Sequence, residues 1–122
     1  MRIAGLLATL GMAAGLLPVA CARPETPPAP VHLRTAPAGA DTRVTLVAAP
    51  GLKVNARLKP ALELPDGSVL RFDSTRLTSD SAYFIGPPWA LLAGIHRSVS
   101  GTLRVSVCGI DEKVCRSVTL QL

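Results

Sequence analysis

A chain of 122 residues has room for one domain once its ends are set aside. Thirteen Lys and Arg against eight Asp and Glu give a formal charge of +5, and the positive residues, Arg34, Lys53, Arg71, Arg97 and Arg116 among them, are scattered rather than clustered. One Trp, one Tyr and two Phe make no platform for stacked bases, so nucleic acid is excluded as a partner. The charge reads as a soluble basic surface with at most weak attraction to anionic lipid headgroups.

Met1 and Arg2 precede an apolar run from Ile3 to Ala20, interrupted by Gly5, Gly11, Gly15 and Pro18. The run is at the lower limit for a membrane span. A short basic start, an apolar centre and a small-residue end describe a secretory signal peptide instead. Leu17-Pro-Val-Ala-Cys21 resembles a bacterial lipobox, with Pro18 where that motif usually has Leu. Ala20-Cys-Ala22 also satisfies the small-x-small rule of an ordinary signal peptidase. The lipobox reading is favoured, because lipidation of Cys21 removes a lone cysteine that would be a reactive liability after export. Residues 1–21 are therefore read as signal peptide and lipobox, with the mature domain tethered through Cys21 in the periplasm or cell envelope. There disulfides form and persist, and two cysteines remain to form one.

Residues 22–41 carry Pro24, Pro27, Pro28, Pro30 and Pro37 among Ala and Thr, and read as a semi-rigid spacer in which His32 is a solvated residue. The folded domain is expected over 42–122. Arg43–Ala48 and Leu52–Ala56 read as strands about the turn at Ala49-Pro-Gly51. Ala61–Leu64 and Ser68–Phe72 flank Pro65-Asp-Gly67, a hairpin cue. Ser81–Ile85 reads as a short strand, and Trp89–Ile95 suits a buried strand or a helical turn equally. About seven short strands, no long helical period and no internal repeat indicate an all-β, immunoglobulin-like β-sandwich.

The chemistry is placed in the terminal hairpin, Gly101 to Leu122. Leu103, Val105 and Val107 share one face of its first strand, and Thr102, Arg104, Ser106 and Cys108 the other. In the second strand Val118, Leu120 and Leu122 oppose Cys115, Ser117, Thr119 and Gln121. Both cysteines thus fall on the face away from the core, at opposing ends of one hairpin, where cross-strand neighbours can bridge. A β-bulge in either strand would reverse that parity.

A bridge there closes a short loop, worth roughly 2.5 kcal/mol by loop entropy against roughly 4 kcal/mol for a sheet-to-sheet bridge closing some sixty residues. As a staple it is inefficiently placed. As a redox pair it needs sulfurs within bonding reach, an exposed sulfur and an accessible thiolate. Lys113 and Arg116 favour the thiolate, Asp111 and Glu112 oppose it, and Gly109 lowers bulk where a thiol must approach.

Ala49-Pro-Gly-Leu-Lys-Val-Asn55, Val105-Ser-Val-Cys108 and Val114-Cys-Arg-Ser-Val118 resemble the N-terminal (alpha) domain of the thiol:disulfide interchange protein DsbD and related modules. The resemblance covers roughly Thr42 to Leu122. It implies an immunoglobulin-like periplasmic redox domain in which Cys108 and Cys115 exchange electrons with a thioredoxin-like or membrane electron-transfer protein supplied in trans. It also implies an aromatic shielding loop, for which Tyr83 and Phe84 are the candidates. DsbD has five residues between its cysteines where this chain has six, Gly109 to Val114. The competing reading is a non-catalytic envelope domain whose disulfide staples the hairpin. One folded-region histidine, His96, makes neither a zinc site with the cysteines nor a triad with Ser98 and Ser100, and no cofactor motif occurs.

Overall fold

The computed structural model describes residues 14–15, 29–111 and 113–122, and the expected signal peptide lies outside the described residues apart from Ala14 and Gly15. Eight strands follow in order: β1 (Val31–Ala38), β2 (Asp41–Ala48), β3 (Leu52–Val54), β4 (Ala61–Glu63), β5 (Val69–Arg71), β6 (Trp89–Ala93), β7 (Thr102–Gly109) and β8 (Cys115–Gln121). They form two antiparallel sheets in a sandwich-like arrangement. One sheet is ordered β1-β2-β6; the other is built around β7, with β8 along one edge and β3 and β4 along the opposite edge, β5 pairing outside β4. Val44, Leu46, Leu62, Phe72 and Leu103 are fully buried between the sheets. Alternating apolar residues drive this, since each strand can bury only one of its faces.

The stretch read as a spacer is corrected in its second half, because Val31–Ala38 pairs with β2 along its full length, Val31 opposite Ala48 and Ala38 opposite Asp41. Val31 is buried and Leu33 packs against the core, while His32 is exposed. The prolines concealed this strand. Pro37 is tolerated because β1 is an edge strand, where a missing amide need break no ladder hydrogen bond. Gly39, at φ +61, closes the tight turn into β2.

β3 and β4 are one interrupted strand. Val54 lies opposite Val107 and Ala61 opposite Arg104, so seven residues advance on one side against three on the other, and four are looped out. An even insertion preserves which face each side chain takes. Asn55 holds the loop, its Oδ1 accepting from the amides of Arg57 (2.9 Å) and Leu58 (3.4 Å). The hairpin at Pro65-Asp-Gly67 forms as expected, but only Gly67 takes a positive φ, +87. Trp89–Ala93 resolves as a strand with alternating exposure, not a helical turn. The strand expected over Ser81–Ile85 reduces to two isolated bridges, Asn55 with Tyr83 and Leu77 with Phe84. Ser81 enters the left-handed region (φ 58), which interrupts extension there.

Three exposed carboxylates hold these turns. Asp66 accepts from the Ser68 hydroxyl and amide, Asp73 from Lys59 and the Ser74 amide, and Asp80 from the Thr78 hydroxyl and the Ala82 amide; each is held below its ordinary range by those bonds, in that order of weight. A carboxyl lowered by folding stabilises the fold above its unfolded value and ceases to do so as pH falls through the lowered one. The urea midpoint should therefore be flat from about pH 7 to about pH 5 and fall below about pH 4. The Asp66→Asn, Asp80→Asn chain should fall less steeply than the native one; an equal fall would assign the transition to other groups.

Candidate functional site: the hairpin disulfide

β7 and β8 pair without interruption from Thr102 opposite Gln121 to Cys108 opposite Cys115. No bulge intervenes in this hairpin, and the two cysteines face each other at its end. They are bonded, with Sγ–Sγ 2.03 Å and Cα–Cα 4.1 Å. Such a short separation belongs to directly opposed residues of the narrow, non-hydrogen-bonded kind. The Ile110 amide donates to the Gly51 carbonyl at 3.0 Å, tying the hairpin tip to the turn before β3.

The parity read from the sequence holds, but the openness does not. Cys108 is only 1% exposed, and Ser106 beside it is buried as well. β7 is flanked on both edges, and its short outward side chains at Ser106 and Cys108 are enclosed, while the long Arg104 side chain reaches solvent. Lys53 lies directly opposite Cys108, and Asn55 Nδ2 reaches Ser106 Oγ at 3.5 Å. The Lys53 ammonium rests 3.8 Å from the centroid of the Tyr83 ring. Cys108 is thus covered on the polar side of the sheet and is no member of the hydrophobic cluster between the sheets.

Cys115 has a different environment. It is half-buried on the outermost strand and lines a shallow depression of about 340 Å³ with Gly51, Leu52, Val107, Val114 and Arg116. Val114 and Ile110 are 76% and 58% exposed beside it. Of the aromatic pair expected as a shield, Phe84 is buried in the core and cannot serve, whereas Tyr83 stays half-buried over Lys53. Lys113, Arg116 and Asp111 are exposed around the tip; Glu112 and the expected lipidation residue Cys21 lie outside the described residues. His96 is an exposed turn residue at φ 54. Lys53 and Asn55 escaped the sequence reading because their pairing with β7 joins residues some fifty apart, which no local pattern announces.

The fold and site define an all-β, two-sheet protein with a disulfide across the end of its last hairpin. Comparison with protein-family models, curated proteins and solved structures found no match to the chain.

Proposed function

We propose that this chain is an exported, lipid-anchored, immunoglobulin-like domain that carries electrons by thiol–disulfide exchange through Cys108 and Cys115, in the manner of the DsbD N-terminal domain. The observation that supports the reading best is the asymmetry of the bridge: Cys115 is half-buried on the edge strand, beside a depression with an apolar rim, and Cys108 is covered. Exchange needs only one reachable sulfur. A partner's thiolate attacks Cys115 Sγ, the intramolecular bond breaks, and Cys108 departs with the electron pair and takes up a proton. Lys53, paired opposite Cys108 with its ammonium held on the Tyr83 ring, adds positive charge to that face of the sheet, which favours a thiolate. The partner's second thiol then attacks the mixed disulfide and frees Cys115, so two electrons pass to this chain. In the reverse direction the Cys115 thiolate attacks and Cys108 resolves. A thioredoxin-like or membrane electron-transfer protein in trans is the fitting partner.

The burial of Cys108 also favours a second reading, an envelope domain whose bridge only staples the hairpin. The reduction potential separates the two. An exchange pair should equilibrate with glutathione or thioredoxin buffers well above about −300 mV, and a value below that belongs to an inert staple.

A further inference from the structure

A second feature lies away from the disulfide, along the seam where β5 and β6 approach and Asp73 pairs with Trp89. Here Arg43, Arg71, Asp73, Arg76, Trp89 and Leu91 line a groove of about 660 Å³. The Arg43 guanidinium lies over the Trp89 ring, 4.3 Å from its centroid. Among the described residues none of the three arginines is within ion-pair distance of a carboxylate, and the acid in the groove, Asp73, is already bound to Lys59 at 2.6 Å. Trp89 and Leu91 are nevertheless 37% and 46% exposed. Unpaired guanidinium forks match phosphate oxygens two at a time, and an exposed indole beside them suits the boundary between headgroups and acyl chains.

The topology adds a direction. β1 and β6 both run antiparallel to β2, with Val31 opposite Ala48 and Trp89 opposite Thr45. The chain therefore enters β1 at the end of the sheet where Trp89 begins β6. Cys21 precedes Val31 by ten residues, so a lipid there would hold this end within about 35 Å of the bilayer.

We propose that this groove binds the phosphate of an anionic phospholipid headgroup, with Trp89 and Leu91 set into the membrane interface, so that the domain lies on a bilayer by this face. A soluble phosphate ester would use the arginines but leave the apolar pair unexplained. Trp89 is the single tryptophan of the chain, so its emission reports on the groove directly. Titrating the full chain with phosphatidylglycerol vesicles should shift that emission to the blue, and phosphatidylcholine vesicles should not. The apolar N-terminal run is common to both arms. Arg71→Gln with Arg76→Gln leaves Arg43 on Trp89 and should raise the lipid needed for half the shift about 25-fold, about fivefold for each arginine. Arg116→Gln, which removes a charge from β8, at the edge of the five-stranded sheet opposite to β5, should change it less than about twofold. Raising the salt from about 50 mM to about 500 mM should suppress the shift. No shift, equal shifts on both vesicles, or an Arg116→Gln loss as large as that of one groove arginine would overturn the proposal. So would a matching shift with free glycerol phosphate, which would make the groove a site for soluble esters. The disulfide's reduction potential bears on none of these outcomes.

Discussion

Replacing Gly101 with alanine is expected to destabilise the protein by roughly 3 kcal/mol. Gly101 opens β7 at φ +135, a conformation that side chains rarely adopt. A Cβ built there would run into the carbonyl oxygen of Glu63, with the next β4 atoms close behind. That carbonyl cannot yield cheaply. Glu63 pairs with Val69 on one side and Thr102 on the other, and Gly101 itself exchanges backbone hydrogen bonds with Leu122. The strain would fall on the junction of β4, β7 and β8. Gly39 provides the comparison, because its φ of +61 is also left-handed but open space surrounds it. Gly39→Ala should therefore cost only the conformational penalty, about 1 kcal/mol. Urea unfolding of both variants at one pH measures the difference. Equal losses would show that the close approach to Glu63 contributes nothing.

What could be read in the sequence is what is local. The last hairpin shows its own alternation, and its register follows from a short loop, so Cys108 and Cys115 could be set opposite each other without a structure. The β4–β5 hairpin is equally plain from its turn residues. Two kinds of information were hidden. Val31-His-Leu-Arg34 alternates, but the prolines around it suit an extended spacer just as well, and only pairing with β2 makes it an edge strand. The looped-out Ala56–Lys59 segment, which lets β3 and β4 share one edge of β7, depends on contacts between distant residues. The same limit applies at the site. Alternation shows which face a cysteine takes, whereas exposure depends on what stands beside it. On β7 the neighbours are Lys53 and Cys115, and Cys108 is enclosed; on β8 the outer edge is open, and Cys115 is not. Phe84 went to the core for a related reason, its bridge to Leu77 placing it against that cluster.

That difference in exposure sets the largest functional expectation. A Cys108→Ser chain, which keeps Cys115 free on the edge strand, should react with a small aromatic disulfide at least about ten times faster than a Cys115→Ser chain. On the proposed carrier function, the same variant should accumulate a mixed disulfide with a thioredoxin-like partner, visible as a reducible band of higher mass. Cys115→Ser should accumulate far less, since the remaining cysteine, Cys108, is 1% exposed on a strand flanked on both edges. Either change removes the bridge and with it roughly 2.5 kcal/mol of loop-closure stabilisation. Both chains must therefore be shown to unfold cooperatively before their rates are compared, and the Cys108→Ser, Cys115→Ser double variant supplies the unreactive baseline. Equal rates, or a faster Cys108, would mean that the hairpin opens before it reacts and that the static asymmetry does not direct attack. If both folded variants capture nothing, the bridge is a staple. Electrons would then have no route through a sulfur that no partner can reach.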